Sequence, residues 1–378
     1  MSDQREIKIG LIGAGQIGMQ HLERYATIAG VRIEAVCDIS PEAADSAAKQ
    51  YAIPRVCTDY RDLLADSDIE AVDVCLHNNY HEPVTVAALQ AGKHVYCEKP
   101  IAGSYTDGAK MTHAAEASGR MLHIQLAQLY SKETKAAKQL IEGGKLGKLY
   151  HARSTGFRRR NRPFVDGYGT PAFTRKEIAG GGALLDMGVY HISRMLYLMG
   201  NPQPLRISGQ LYQEMAMDEA RRAASGFDVE EFAAGFVKFE GGMTLDIAES
   251  WSIHLGGFEG SSIVGNEGGI RFPGSTGAGE ASPFTYHSTI ADLDFDGRVD
   301  LDLAELRRKR LSPCPDAYDS SQHHWIAALR GEVPLLPTAA LALNTMLISE
   351  GLYLSHALGR EVTADEVRAL SPSRSLPI

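Results

Sequence analysis

The chain has 378 residues, 44% of them hydrophobic, and a formal net charge of -9. That length exceeds what one hydrophobic core usually spans, so two domains are expected. Acidic and basic residues are interspersed without the basic face that a phosphate backbone demands, and no stretch approaches the ~18 continuous apolar residues of a membrane span, so nucleic acid and membrane partners are excluded.

Met1-Ser2-Asp3-Gln4-Arg5-Glu6 lacks a basic segment leading into an apolar run, which points to a cytoplasmic protein. From Ile7 to about Tyr130, short apolar runs alternate with helical patterns, as βαβ units of a parallel sheet require. Strands are expected at Ile7–Ile12, 32–37, 71–76, His94–Cys97 and 121–125. Ser40 caps a helix at Pro41–Tyr51, and Asp59 caps one at 60–65. After Tyr130 the pattern shifts to a few helices and longer alternating strands at Leu149–Phe157, 231–239 and 243–251, the last two joined by a tight turn at Gly241-Gly242. The glycine- and serine-rich stretch 274–282 reads as a loop. Cys37, Cys57, Cys75, Cys97 and Cys314 are an odd set without C-x-x-C spacing, so neither a disulfide framework nor a zinc cage is expected, and no metal site.

The expected fold is α/β. An N-terminal Rossmann dinucleotide-binding domain spans 1–129, and a C-terminal α+β domain on a largely antiparallel open sheet spans 130–378, with a helix at 338–358 that packs back on the first domain.

A lone G-x-G-x-x-G says little, but Gly13-Ala14-Gly15-Gln16-Ile17-Gly18 follows a strand at once and opens a helix pattern. Gly13 makes the turn, Gly15 lets backbone approach a pyrophosphate, and Gly18 packs helix on strand. The N–H groups about Gln16 and Ile17 hold the negative charge. Asp38 ends the next strand, where a carboxylate accepts ribose hydroxyls and repels a 2′-phosphate; the cofactor is therefore NAD rather than NADP.

The segment Ala91-Gly92-Lys93-His94-Val95-Tyr96-Cys97-Glu98-Lys99-Pro100 resembles the Gfo/Idh/MocA family of glucose-fructose oxidoreductases and inositol dehydrogenases. So do Asn78-Asn79-Tyr80-His81-Glu82-Pro83, the run from Gly180-Gly181-Gly182 through Asp186 to Tyr190-His191, and Gly359-Arg360-Glu361-Val362. The resemblance spans nearly the whole chain. It implies an active site between the two domains, cofactor contacts from Asn78, His81, Glu98 and Lys99, and a second domain whose sheet serves a homo-oligomer, dimer or tetramer. Where the family has Thr-Pro-Asn this chain has Leu76-His77-Asn78, which puts the His77 imidazole near cofactor and substrate.

Within that resemblance Lys99 is the lysine that touches the reacting hydroxyl. Asp186 and Tyr190 are four residues apart, hence about 40° apart on a helix. Tyr190 is the first choice for acid/base work, with Asp186 orienting it. If the helix begins only at Gly188, His191 competes. Arg158, Arg159 and Arg162 lie in a basic run whose guanidinium forks suit a carboxylate, phosphate or sulfonate on the substrate, or simply form a solvated loop. Trp251 and the pair His323-His324 are expected in a core or interface rather than a cleft.

Three activities compete. The first is an NAD-dependent oxidoreductase acting on a sugar, sugar derivative or cyclitol. The second is a redox-neutral NAD-dependent glycosidase that oxidises, eliminates, hydrates and reduces an anionic, for example sulfonated, glycoside, with His77, His81 and His191 as extra acid/base groups. A non-catalytic NAD-bound regulator is disfavoured because Lys99, Asp186 and Tyr190 are all retained.

Overall fold

The computed structural model describes residues 5–274 and 282–377. Met1 to Gln4 and the interior of the loop expected at 274–282 lie outside the described residues. The strands are β1 (Ile7–Ile12), β2 (Val31–Cys37), β3 (Arg55–Cys57), β4 (Ala71–Val74), β5 (His94–Cys97), β6 (Leu122–Ile124), β7 (Leu149–Phe157), β8 (Pro204–Tyr212), β9 (Phe232–Phe239), β10 (Thr244–Ser250), β11 (Ser262–Gly265), β12 (Gly268–Arg271), β13 (Thr285–Ile290), β14 (Leu293–Arg298) and β15 (Val362–Thr363). The helices are α1 (Gln16–Tyr25), α2 (Pro41–Tyr51), α3 (Tyr60–Leu64), α4 (Asn78–Gln90), α5 (Tyr105–Ser118), α6 (Lys132–Glu142), α7 (Lys176–Ala179), α8 (Ala183–Asp186), α9 (Gly188–Leu198), α10 (Glu219–Ser225), α11 (Leu301–Leu311), α12 (Ser321–Leu329), α13 (Thr338–Leu358) and α14 (Ala364–Leu370).

Two compact units emerge, one made of 1–127, 311–340 and 373–378, the other of 128–310 and 341–372. The first unit therefore recruits two segments from the far end of the chain that a cut at residue 129 assigns elsewhere. Apart from its first turn, α13 belongs to the second unit; the helix that completes the first unit's core is α12.

In the first unit six parallel strands run in the order β3-β2-β1-β4-β5-β6. Such a sheet must be covered on both faces, which is why its strands read as apolar runs rather than alternating ones. Ile7 and Ile9 pack with Tyr25, Ala71, Tyr96 and the α12 residues Trp325, Ile326 and Leu329, while Leu11 joins Leu22, Val36, Ala47 and Ile53 in a second cluster. Ser40 and Asp59 cap α2 and α3, accepting hydrogen bonds from Ala43 N–H and Arg61 N–H. The three-residue β3 escapes the sequence pattern because it is too short to show a period. β4 stops at Val74, two residues before the expected end, because α4 already starts at Asn78. The strand order reverses between β1 and β4, and ligands of such sheets bind beyond the carboxyl ends at that reversal.

The second unit carries nine strands in the order β14-β13-β12-β11-β7-β10-β9-β8-β15. The sheet is largely antiparallel as expected; β7 and β10 alone pair in parallel among the described strands. Gly241 and Gly242 turn the β9–β10 hairpin at φ 75° and 84°, a region that side chains disfavour. One face of the sheet is buried: a Cβ on Gly209 or Gly235 would stand 2.7 or 2.5 Å from Leu352 of α13. Opposite lies the half-exposed face, with Arg153 and Asp246 paired at 2.8 Å and Tyr212 stacked on Phe232. Among the described residues no helix is long and apolar enough to cross a membrane.

Candidate active site

At the end of β1 the three glycines do three different jobs. Gly13 sits at φ 99°, and a Cβ there would lie 2.3 Å from the Cys75 carbonyl oxygen. A Cβ on Gly18 would meet the Gly13 carbonyl oxygen at 2.0 Å, so only glycine lets α1 close on the strand. A Cβ on Gly15 would meet nothing within 4 Å. That open backbone, with α1 beginning at Gln16 without a side-chain cap, presents N–H groups and the positive end of the helix to an anion. Gln16 and Ile17 are exposed beside it. Asp38 braces the cradle: one carboxylate oxygen accepts from Ala14 N–H at 2.7 Å, the other from Ser40 N–H at 2.9 Å. Each oxygen retains a lone pair for a ribose hydroxyl. These residues fit a dinucleotide: open backbone for the pyrophosphate, a carboxylate for the adenosine ribose.

At the ends of β4 and β5 the structure separates residues that the sequence grouped together. His81 is fully buried, its Nδ1 2.8 Å from the Pro100 carbonyl oxygen and its Nε2 3.0 Å from that of Leu76, and burial pushes its pKa down. Its ring ties the loop before α4 to the loop after β5. His77 and Asn78 open α4 and are less buried. The Glu98 side chain also turns inward. Its Oε1 lies 2.9 Å from His21 Nε2, its Oε2 accepts from Lys99 N–H at 2.9 Å, and His21 Nδ1 lies 2.8 Å from Asp73 Oδ2. Facing two carboxylates, the His21 ring needs both protons; burial opposes the charge, but Asp73 prevails and raises its pKa well above the ordinary value. Burial pushes Glu98 up, yet His21 holds its carboxyl below the usual range. Asp73, His21 and Glu98 thus form a buried clamp on the Lys99 backbone. His21, Asp73 and Cys75 also lie close enough to hold a metal ion, but the two ring nitrogens already face Asp73 and Glu98, and Cys75 Sγ donates to Asp73 Oδ1 at 3.3 Å, so protein hydrogen bonds engage this donor set.

In the second unit, α8 ends at Asp186, Met187 breaks the helix, and α9 begins at Gly188. Asp186 and Tyr190 are therefore not on one continuous helix. Asp186 Oδ2 accepts from Trp251 Nε1–H at 3.1 Å and pairs with Arg158 Nη1 at 3.5 Å. Arg158 donates to the Tyr168 hydroxyl and lies over that ring, 5.4 Å from its centroid. Trp251, fully buried, is thus core and also a ligand of the candidate aspartate. The His191 Nδ1 lies 2.9 Å from Oε2 of the fully buried Glu249. A Cβ on Gly156 of β7 would fall 1.9 Å from that oxygen and 2.6 Å from the imidazole; the glycine makes room for the pair. The helix start is held by Glu230, whose carboxylate accepts from Gly182 N–H, Leu184 N–H and the Tyr353 hydroxyl; burial raises its pKa.

The arginine run divides. Arg159 and Arg160 are exposed. Arg162 is 1% exposed, and all five guanidinium N–H groups are used, by Asp166 at Nε and Nη2, by Glu231 and the Met215 carbonyl at Nη1, and by the Ala216 carbonyl at Nη2. Arg162 is thus held inside the second unit by protein partners, unlike its exposed neighbours. His324 is likewise internal, its Nε2 accepting from Leu336 N–H at 2.9 Å.

The sequence pattern passed over His21, Asp73, Glu231 and Glu249. Asp73 interrupts an otherwise apolar buried strand, and Glu249 shares the inward parity of Leu245 and Ile247; a charge at either position signals a partner.

Residues 7–126 match the family profile described as "Oxidoreductase family, NAD-binding Rossmann fold", and 134–271 match the "GFO/IDH/MocA C-terminal domain". The chain is similar to D-glucoside 3-dehydrogenase of Escherichia coli, 28% identical over 66% of this chain and 71% of that enzyme. It is similar to inositol 2-dehydrogenase of Salmonella typhimurium, 40% identical over 39% of this chain and 45%, less than half, of that enzyme. A levoglucosan dehydrogenase solved in complex with NADH shares the fold, with TM-score 0.76 and 22% identity over 95% of this chain and 99% of that one.

Proposed function

The chain belongs to the GFO/IDH/MocA family of NAD-binding oxidoreductases, and from that premise we propose that it oxidises a secondary hydroxyl of a sugar, sugar derivative or cyclitol. The observation that carries the reading is Lys99. It follows β5 at the sheet end where ligands bind, with its backbone N–H fixed 2.9 Å from the clamped Glu98 carboxylate. The names of the relatives, a glucoside and an inositol dehydrogenase, support the substrate class.

Bound NAD supplies the hydride acceptor. Lys99 stabilises the alkoxide that develops as the hydroxyl proton departs, and Tyr190 takes that proton. His191, whose Nδ1 lies 2.9 Å from Glu249 Oε2, is the second candidate. Asp186, steadied by Trp251 and Arg158, orients the hydroxyl. Arg159, exposed and without an ion pair among the described residues, is the arginine left for an anionic substituent. The half-exposed face bearing Tyr212 and Phe236 is assigned to contact with a second copy.

One observation favours the redox-neutral glycosidase as a second reading. A carboxylate-oriented imidazole, His191 on Glu249, is the kind of further acid/base group that elimination and hydration need. The test is a panel of inositols and of neutral and sulfonated glycosides incubated with substoichiometric NAD. Ketone capped at the NAD supplied, with matching NADH, establishes the dehydrogenase; free aglycone far exceeding the NAD establishes the glycosidase. No product from any panel member refutes both.

A further inference from the structure

We propose that Cys37 and Cys57 form a reversible disulfide on reaction with a peroxide, and that this bond weakens the adenosine end of the NAD site. The effect on NADH rests on the assignment of Asp38 to the ribose; the disulfide does not.

The two residues are direct register partners on the parallel strands β2 and β3. Neighbouring strands run about 4.8 Å apart, within the roughly 4.4–6.8 Å between Cα atoms that a disulfide spans, and partners in a parallel ladder point to the same face. Cys57 Sγ donates to the Val36 carbonyl oxygen at 3.8 Å, beside Cys37, and the two thiols shift one another's pKa. β3 is the edge strand, so a small oxidant reaches the half-buried Cys57, while Cys37 is 3% exposed.

Their reactivity is divided in the useful direction. Hydrogen bonding from Cys37 lowers the Cys57 pKa, against burial and the charges of Asp62 and Asp59 and with help from Arg55. That same bond raises the pKa of Cys37, as do burial, the Cys57 thiolate, Asp38 and Asp59. Cys57 is thus the attacking thiolate and Cys37 the resolving thiol. In the first step the Cys57 thiolate displaces hydroxide from the peroxide and becomes a sulfenic acid. In the second the Cys37 sulfur attacks the sulfenic sulfur, an S–S bond forms and water leaves, the thiol proton going to the departing oxygen. The peroxide is the two-electron oxidant, and a dithiol reverses the bond.

The link to the cofactor is one residue away. Asp38 follows Cys37, its N–H donates to the Cys57 carbonyl oxygen at 3.3 Å, and its carboxylate holds Ala14 N–H of the glycine cradle. The Cα spacing already suits the bond, but parallel side chains must turn toward each other to reach the roughly 3.8 Å between Cβ atoms that a disulfide needs, and that turn shifts the strand end bearing the carboxylate assigned to the ribose. A disulfide on the edge strand is also open to reductants, and exposed bonds are the labile, regulatory ones.

The experiment treats the full chain with hydrogen peroxide, reads intact mass and disulfide-mapped peptides, and titrates NADH by fluorescence before and after. The expected result is loss of two hydrogen atoms mapped to Cys37–Cys57, an NADH Kd raised on the order of tenfold, and recovery of both with dithiothreitol. Cys57→Ser and Cys37→Ser should each keep NADH affinity under peroxide. Oxygen gain on Cys57 without a disulfide overturns the proposal, as does a disulfide with unchanged Kd or an equal loss in Cys57→Ser. If untreated Asp38→Ala binds NADH like the unaltered chain, the ribose assignment fails, and the mapped disulfide is judged separately by mass.

Discussion

Replacing Arg162 by methionine separates two roles for the basic run. The substitution removes five hydrogen bonds and leaves Glu231, 2% exposed in its side chain, without its cation and Asp166, 6% exposed, with only Arg160 at 3.9 Å. Breaking a buried pair by removing one partner costs about 3–5 kcal/mol, because a charge stays buried without compensation. At roughly 2–4 °C per kcal/mol for a unit of this size, thermal unfolding at neutral pH should fall by about 6–20 °C. Arg159→Met, which removes an exposed charge, should change stability by less than about 1 kcal/mol. The assay is circular dichroism melting of both variants beside kinetics on neutral and sulfonated substrates. An Arg162→Met protein that melts normally and loses only anionic substrates would refute the structural role and return this arginine to the substrate.

Asp38→Ala should weaken NADH binding and narrow the preference over NADPH, both read by fluorescence titration; an unchanged preference counts against the ribose contact. Lys99→Ala should leave NADH affinity nearly intact while lowering turnover at least about a hundredfold, and Tyr190→Phe should lower turnover without altering NADH affinity; full activity in either removes that residue from the mechanism. His21 is held protonated by buried carboxylates, so its folded pKa lies above its unfolded value of about 6.5. The sign follows from linkage: its contribution is complete below pH ~6.5 and is lost as pH rises through the folded pKa. Melting temperature should therefore decline on the alkaline side, and His21→Gln should flatten that decline; an identical slope in the variant contradicts the clamp. Glu305 is the opposite case. Arg308 and Lys135 hold its carboxyl down to about 2, so its contribution stands above the ordinary pKa of about 4.3 and is lost as pH falls toward 2, and Glu305→Gln should soften acid unfolding in that window.

Local chemistry by itself determined much of this protein. Gly13, Gly15 and Gly18 are legible because a left-handed turn, a backbone open to a ligand and a close helix approach each call for glycine within one short segment. The caps at Ser40 and Asp59, the hairpin at Gly241-Gly242 and the change from apolar runs to alternating strands are equally local. Tertiary structure decided what each polar side chain faces. Arg158 and Arg162 look alike in sequence, yet one lies beside Asp186 and the other is consumed by Asp166 and Glu231, from segments up to 69 residues away. His81 and Glu98 belong to recognisable motifs, but the ring is spent on backbone carbonyls and the carboxylate on His21, 77 residues earlier. The return of α12 to the first core depends on Trp325 stacking with Tyr96 of the parallel sheet. A periodicity reports which face of an element is buried. Which distant charge or ring waits at that face follows only once chain closure brings the segments together, because hydrogen bonds and ion pairs act over a few ångströms in space whatever their separation along the chain.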